Sequence, residues 1–196
     1  MLTTDTAILN QYQKDGKRSF FKALQEGEFS KALEIMHTFK IDPDTKGGIL
    51  SASALFYVAT SEDLDPALTE TLLKKGANPN LKNSGFPEKR TVLEEVIHTG
   101  FYYYTHLRMY RELESNFFIT IELLAAFGGT CREDLFEMIQ KSPVAYDQRT
   151  DYTEFKESIL KAIKKGQATF GERQEEKRMA NGAEHSGGSD KLQFKL

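Results

Sequence analysis

The sequence predicts an all-α protein in which successive helix pairs stack into a solenoid. The first observation behind this prediction is the segment LLKKGANPN at residues 72–80, where two leucines precede a glycine and a proline. This order is typical of an amphipathic helix that ends at a left-handed glycine and cannot continue through the proline. The second observation is TVLEEV at residues 91–96, where the hydroxyl of Thr91 can cap the start of the next helix.

The third observation is that both segments recur at a nearly constant spacing. KIDPD at residues 40–44 matches GANPN at residues 76–80, 36 positions further on. Ala23, Val58 and Val96 hold equivalent places in RSFFKA, SALFYV and TVLEEV, with spacings of 35 and 38 residues. A period of this length is typical of helical repeat proteins, so the same helix pair is expected to recur along the chain.

The first helix pair is expected to begin near Ser19, after a polar lead-in at residues 1–12. Its first helix should end before Gly27, and its second carries an inward-facing apolar stripe at residues 29–36. The proline and two aspartates at residues 42–44 should stop this second helix.

The second pair is expected to place Leu55 and Leu72 on the inner faces of its two helices. A corner at residues 61–65 separates them, and Pro66 is acceptable in the first turn of the second helix. The loop at residues 81–90 contains a glycine, a proline and several charges, which is typical of an exposed finger.

The third pair carries an insertion. Gly100 and Leu123 are 23 positions apart, whereas the corresponding Glu62 and Leu72 are ten apart. The added segment, about residues 101–118, has no proline or glycine, so both helices of this pair are predicted to be longer by a turn or two.

The remaining sequence divides the chain into three parts. A degenerate helical cap is expected to close the stack at about residue 165, where the apolar pattern stops. Residues 166–196 are polar, contain several glycines and are expected to form a flexible tail. The predicted division is a lead-in at residues 1–12, a repeat domain at residues 13–165 and a tail at residues 166–196.

These segments resemble the ankyrin repeat, whose signature runs T-P-L-H-x-A, then a glycine, then L-L-x-x-G-A-D-x-N. Residues 72–80 fit its second half almost completely, and Thr91, Leu93, Val96 and Gly100 fit its first half, although the Pro-Leu-His core does not occur intact. The resemblance implies an ankyrin-like solenoid of about three recognisable repeats. It also implies a protein that binds another protein and does no chemistry of its own.

The resemblance implies a binding surface as well, at the ends of the first helices and at the finger loops on the concave side. Carried over by position, the candidate residues are Gln25 and Glu26, Thr60 and Ser61, His98 and Thr99, and, in the finger, Phe86, Lys89 and Arg90. The insertion adds Tyr102, Tyr103 and Arg108, because tyrosine and arginine are enriched in binding hot spots. In the competing interpretation the inserted aromatic residues pack against the core. Consecutive side chains of one helix point in different directions, so they cannot all do this.

Other kinds of site are not expected. His98 and His106 are eight positions apart without the glutamate of a helical zinc motif, and Cys131 has no companion cysteine. Neither a Walker loop nor a GxGxxG segment occurs, so neither a metal nor a cofactor is predicted. The formal net charge of −3 and the isoelectric point near 5.9 argue against a protein that binds nucleic acid.

The sequence also predicts a cytoplasmic protein without a membrane span. No apolar run approaches the roughly 20 residues that a membrane-spanning helix needs, and the first residues lack the layout of a signal peptide. The single cysteine, Cys131, cannot form an internal disulfide, which fits a reducing compartment.

Two alternatives to a binding module stay open. One is an enzyme with an unrecognised cleft in the helical scaffold, in which Cys131 acts as a nucleophile if folding brings a histidine to it. A deep pocket with perturbed pKa values would favour this enzyme, whereas a shallow groove would favour binding. The other alternative is a structural subunit that docks through a hydrophobic end of the stack.

The C-terminal residues carry a second resemblance. Glu175 and Glu176, followed by small and polar residues and then by Leu192 and Phe194, are similar to the C-terminal signals of effectors that intracellular bacteria deliver through type IV secretion. Ankyrin repeats are frequent in such effectors, so the resemblance implies delivery into the host-cell cytosol. The alternatives are strand addition by residues 194–196 to a partner's groove and a terminus without a role.

Overall fold

The computed structural model describes residues 2–61, 64–84, 89–106, 114–135, 137 and 150–186. The predicted all-α class is confirmed: within these ranges the secondary structure is helical, no β-strand occurs, and one isolated antiparallel bridge joins Gly47 to Ala52. The numbered helices are α1 (Leu2–Gln25), α2 (Phe29–Thr38), α3 (Ala54–Ala59), α4 (Pro66–Lys74), α5 (Val92–His106), α6 (Glu114–Ala126) and α7 (Thr150–Ser186), and residues 133–135 and 137 are helical as well.

The helices pack in consecutive pairs. α1 contacts α2, α3 contacts α4, and α5 contacts α6. The first helices of the pairs also contact one another, α1 with α3 and α3 with α5, and α4 contacts α6 in the same way. α7 lies along α6 in the most extensive contact between two described helices.

One continuous core of buried apolar side chains runs through these contacts. All six residues of α3 are buried, because α1, α4 and α5 each pack against this short helix. The largest apolar side chains that are essentially inaccessible to solvent are Phe20, Leu55, Leu72, Leu93, Ile97, Phe117, Ile121, Leu124, Ile159 and Ile163. The apolar stripes predicted for the first two pairs lie in this core.

The starts of three helices are capped by side chains. Ser53 Oγ accepts a hydrogen bond from the N–H of Phe56 at 3.4 Å, and Asp65 Oδ1 accepts one from the N–H of Leu68 at 3.0 Å. The predicted cap at Thr91 is confirmed, since its hydroxyl accepts from the N–H of Glu94 at 3.3 Å.

The ends of α2, α4 and α6 share one geometry. Each helix is followed by a residue with positive φ, at Lys40 (50°), Gly76 (94°) and Gly128 (86°). The next N–H then donates to the carbonyl five residues earlier, as in a Schellman motif. The three bonds are Ile41 to Met36 at 2.9 Å, Ala77 to Leu72 at 3.1 Å and Gly129 to Leu124 at 2.8 Å. The left-handed role predicted for Gly76 is confirmed.

The third pair has the longest paired helices after α1. α5 has 15 residues and α6 has 13, against six in α3 and nine in α4. α5 passes through Gly100 without ending, so the corner that the repeat spacing predicts after Thr99 does not exist. Residues 107–113 lie outside the described part of the chain.

Both predicted ends of the repeat domain fall inside helices. α1 begins at Leu2, so residues 2–12 of the predicted lead-in are helical and continuous with the rest of α1. Gly16, inside α1, is buried where the ring of Phe39 occupies the space that a Cβ would need. α7 continues through Gly166 to Ser186, so the predicted flexible tail is helical over residues 166–186, and residues 187–196 lie outside the described ranges.

A buried threonine in α6 makes the fold less stable than it could be. The side chain of Thr120 is 0% exposed, and its hydroxyl has no hydrogen-bond partner among the described residues. Thr120→Val should therefore raise the free energy of unfolding by about 1 kcal/mol and the Tm by about 2–4 °C, measured by thermal unfolding. Thr69, equally buried in α4, is the matched control because its hydroxyl donates to the carbonyl of Asp65 at 2.9 Å. Thr69→Val should lower the Tm, and equal shifts in the two variants would contradict the explanation.

No helix among the described residues combines the length and the apolar character that crossing a membrane requires.

Candidate protein-binding surface

Two loops connect successive helix pairs and are called here finger 1 (residues 45–52) and finger 2 (residues 81–90, described except for 85–88). Finger 1 closes through paired backbone bonds between Gly47 and Ala52, at 3.1 and 3.2 Å. Finger 2 closes through the bond from the N–H of Asn83 to the carbonyl of Arg90, at 3.1 Å. Gly47 and Asn83 are 36 residues apart, and Ala52 and Arg90 are 38 residues apart. Both separations match the repeat spacing of the sequence.

Finger 1 is fixed by Tyr57 of α3. The Tyr57 hydroxyl donates to the carbonyl of Gly47 and accepts from the N–H of Leu50, both at 3.2 Å. Gly48 turns the chain with φ 69°, and a Cβ at this position would lie 2.3 Å from the same hydroxyl oxygen. The tip therefore requires glycine at residue 48, and its backbone is held from below by a buried aromatic side chain.

The two fingers are joined side by side. Ser84 Oγ donates to the carbonyl of Ser51 at 3.1 Å and lies 3.2 Å from Ser51 Oγ. The ammonium group of Lys46 donates to the carbonyl of Lys82. Because both bonds join finger 1 directly to finger 2, the two fingers form one platform.

The turns beneath the fingers repeat the same connection twice. Asp42 and Asn78 each accept the N–H two residues ahead, at 2.8 and 2.9 Å, as in Asx turns. Asp44 Oδ1 then accepts the N–H of Asn78 at 2.8 Å, and Asn80 Oδ1 accepts the N–H of Thr130 at 2.8 Å. Each turn is therefore tied to the turn of the next helix pair.

A buried carboxylate fastens the last of these turns. Glu94, 1% exposed, accepts the N–H of Thr91 on Oε2 at 2.9 Å, which completes a capping box. Its Oε1 accepts the backbone N–H of Arg132 at 2.8 Å and the guanidinium Nε of Arg132 at 3.2 Å. Thr91 in turn donates its hydroxyl to the carbonyl of Thr130 at 3.0 Å. The start of α5 and the turn after α6 are thus held as one unit.

The candidate residues at the end of α1 are open to solvent. Gln25 and Glu26 are exposed at the end of α1, and Glu26 forms an ion pair with Lys22 at 3.7 Å. A Cβ at Gly48 would lie 3.0 Å from Gln25 Nε2, so this amide reaches finger 1.

The hydroxyl groups at the end of α3 are used by the helix itself. Thr60 Oγ1 donates to the carbonyl of Phe56 at 2.7 Å, and Ser61 Oγ donates to that of Val58 at 3.0 Å. Both residues are half-buried, and their hydroxyl hydrogens are already donated, so they offer a partner little polar surface and no strong hydrogen-bond donor.

Finger 2 places its two described candidate cations in different settings. Lys89 is exposed, whereas the side chain of Arg90 is 15% exposed and pairs with Glu95 at 3.3 Å. Arg90 therefore supports the base of the finger, and Lys89 is the residue that reaches solvent.

The candidates of the third pair are only partly described. His98 and Thr99 are half-buried in the middle of α5, so their predicted position just before a corner is wrong. The cause is the insertion, which continues α5 past Gly100. Tyr102 and Tyr103 belong to α5, but their side chains, like the whole of Phe86 and Arg108, lie outside the described part of the structure.

Sequence reasoning missed finger 1 as a candidate surface. Ile49 at its tip is 87% exposed, the highest value among the described large apolar side chains that face solvent. Sliding the chain by 36 residues places Lys46 on Lys82, so the signal was present in the repeat spacing. The segment KGGILS contains little that distinguishes it from an ordinary loop.

Cys131 lies next to the Glu94 network. Burial, and secondly the negative charge of Glu94, raise the pKa of its thiol to about 12. A thiol of this kind is the opposite of an activated nucleophile, which needs a lowered pKa. This counts against the cysteine-based form of the enzyme alternative.

Alkylation of Cys131 by iodoacetamide should therefore be slow and should depend steeply on pH. Only the thiolate reacts, so a pKa of about 12 predicts a rate that rises about tenfold per pH unit between pH 8 and pH 10 without levelling off. The same chain in urea should react faster and level off above an ordinary thiol pKa of about 8.5. A native rate that saturates near pH 8 or 9 would contradict the raised pKa.

The described side chains include no group of three or more histidine, cysteine, aspartate or glutamate residues that is able to hold a metal ion. No protein-family model, no curated protein and no solved structure matches the chain. The resemblance to the ankyrin repeat therefore rests on the sequence of this chain alone.

Proposed function

We propose that this chain is a non-catalytic module that binds another protein, built as an ankyrin-like solenoid. The observation that supports the proposal most is the repeated turn. The ends of α2, α4 and α6 each have a left-handed residue and a five-residue back-bond, as the end of α1 also has at Gly27, and each tie between successive turns uses an equivalent side chain. A chain that repeats a unit and its connection in this way is expected to stack its units in one direction.

The helix contacts support the same arrangement. Contacts of α1 with α3 and of α3 with α5 form one row, and the contact of α4 with α6 belongs to a second row. In a closed bundle, the first helix of each pair would not have to contact the first helix of the next pair, as α1 and α3 do, and α3 and α5. In the proposed solenoid the two fingers line the edge next to the row of first helices.

The proposed binding surface is the finger platform together with the ends of α1 and α3. Hydroxyls that already bond to their own helix, such as Thr60 and Ser61, contribute shape more than affinity. The free groups of this surface are Gln25, Ile49 and Lys89. Phe86, Tyr102, Tyr103 and Arg108 complete the proposed surface from the sequence.

The experiment that tests this function is affinity capture with the full chain, followed by calorimetry with the partner that is recovered. The double variant Phe86→Ala with Lys89→Glu should weaken binding, whereas Lys161→Glu, an exposed lysine of α7, should not. Failure to recover a reproducible partner would overturn the proposed function. A partner whose affinity is the same for both variants would overturn the proposed surface.

Delivery by type IV secretion stays a prediction. The first part of the proposed signal, Glu175 and Glu176, is exposed on α7, and Leu192 and Phe194 lie outside the described residues. Fusion of residues 172–196 to a translocation reporter, in a bacterium with a type IV system, tests it. The expected result is host-cell reporter activity that is lost when Leu192 and Phe194 are replaced by serine.

A further inference from the structure

Residues 45–52 and 81–90 of the two fingers contain four basic side chains and one acidic one, Glu88, which lies outside the described residues. In the described finger residues, 45–52, 81–84 and 89–90, the charged side chains are Lys46, Lys82, Lys89 and Arg90, and none is acidic. Arg90 is paired with Glu95 at the base. Lys46, Lys82 and Lys89 are exposed, and no ion pair of theirs occurs with a described residue.

Packing within the platform brings the lysines together. The Lys46 ammonium donates to the backbone carbonyl of Lys82, so the positive side chain of finger 1 lies against the backbone of finger 2 at a residue that is itself a lysine. Lys89 follows on the opposite arm of finger 2, next to the Asn83–Arg90 closure. The two carboxylates of the connecting turn accept backbone N–H groups, Asp42 from Asp44 and Asp44 from Asn78. Like charges held this close raise the local positive potential.

Ile49 is presented by a rigid hairpin. Its side chain is 87% exposed, while the backbone around it is held by the Gly47–Ala52 bridge, by the Tyr57 hydroxyl and by Ser84 of finger 2. Because the backbone that carries Ile49 is already held in place, binding through this residue costs little backbone entropy. Ile8 is also exposed, at 64%, but it lies on α1 away from the fingers and without such a frame.

We infer that the finger platform binds an acidic protein segment that contains a pocket or an apolar side chain for Ile49. This inference rests on the proposed binding function and states which partner chemistry the surface fits. Carboxylates of the partner would pair with Lys46, Lys82 and Lys89, and Ile49 would be the apolar anchor at the centre. Charge complementarity of this kind sets the rate and specificity of association, and the buried anchor supplies most of the affinity.

The test is selection of random displayed peptides on the immobilised full chain, followed by affinity measurement of synthetic copies. Enriched peptides should contain aspartate or glutamate on both sides of a large apolar residue, and their affinity should fall as salt is raised. Ile49→Ser should weaken binding about tenfold or more, whereas the matched control Ile8→Ser should leave it unchanged. Reversal of Lys46, Lys82 and Lys89 to glutamate should abolish binding, and Lys161→Glu should not.

A second variant tests whether binding depends on the fixed conformation of finger 1 and not only on its side chains. Tyr57→Phe keeps the buried ring but removes the hydroxyl that holds finger 1, so binding should weaken a few-fold while the helical circular dichroism spectrum stays the same. Circular dichroism of the Ile49 and lysine variants must likewise match the wild type, since these residues are at the surface.

The outcomes distinguish the inference from the function on which it rests. Peptides that bind but are insensitive to Ile49→Ser and to the lysine reversals would overturn the inference and leave a binding module with another surface. Peptides without acidic enrichment, or displacement by a single-stranded oligonucleotide at low concentration, would overturn the acidic partner. If no peptide is enriched and affinity capture also recovers nothing, the proposed function fails as well.

Discussion

Replacement of Glu94 by glutamine is expected to lower the free energy of unfolding by about 3 kcal/mol. Both carboxylate oxygens accept hydrogen bonds, Oε2 from the N–H of Thr91 and Oε1 from the N–H and Nε of Arg132. Glutamine has one acceptor oxygen, so its amide N–H₂ must face a donor on one of the two sides. At 1% exposure, water cannot replace the lost acceptor.

The neighbouring Glu95 provides the control for this prediction. Its side chain is 11% exposed and its pairing with Arg90 Nη1 is at 3.3 Å, which one glutamine oxygen is able to preserve. Glu95→Gln should therefore cost no more than about 1 kcal/mol in the same urea titration, followed by circular dichroism. If both variants lose the same free energy, general loss of charge and not the two-sided acceptor explains the effect.

The features that the sequence predicted well are those set by local chemistry. A glycine after an apolar helix predicts a left-handed end, and Gly76 and Gly128 both adopt it. A threonine before an apolar run predicts a cap, and Thr91 forms one. Lys40 was harder to predict, because it has the same conformation without being a glycine. Its strain is offset by Ile41, which is 5% exposed in the core, and by the Asx turn at Asp42.

Features that depend on distant packing were missed. The burial of Glu94 could not be deduced from its own helix, because its second partner, Arg132, is 38 residues away. The polar start of α1 lacks an apolar stripe, so the sequence favoured a lead-in over a helix. Finger 1 was overlooked because its order comes from Tyr57 and Ser84, which belong to other elements.

In the candidate surface, too, the positions set by local spacing were predicted and those set by distant contacts were not. Positions carried over by repeat spacing fell on the ends of α1 and α3 as expected, because the spacing of the first two pairs is regular. His98 and Thr99 did not, because the insertion keeps α5 helical past Gly100. Ile49 and Lys46 were found only when their exposure and their contact with finger 2 were known.

Gly166 illustrates most clearly how a local signal can mislead. Glycine and the polar residues after it predict the end of a helix, yet α7 continues through this position because α6 approaches it closely. A Cβ at residue 166 would lie 2.3 Å from the carbonyl oxygen of Glu122, 2.6 Å from Ala125 Cβ and 2.9 Å from the N of Ala126. Two of these three atoms belong to the backbone of α6, which cannot yield without moving the helix.

Gly166→Ala is therefore expected to lower the free energy of unfolding by about 3 kcal/mol, although alanine is the better helix former. The variant should also expose α7 to limited proteolysis, because displacement of α7 separates Phe155 and Ile163 from the core. Gly171→Ala is the matched control on the same helix, since a Cβ there meets nothing within 4 Å. That variant should gain about 1 kcal/mol from helix propensity alone. If Gly166→Ala also gained stability, α7 would not pack on α6 as closely as the structure has it.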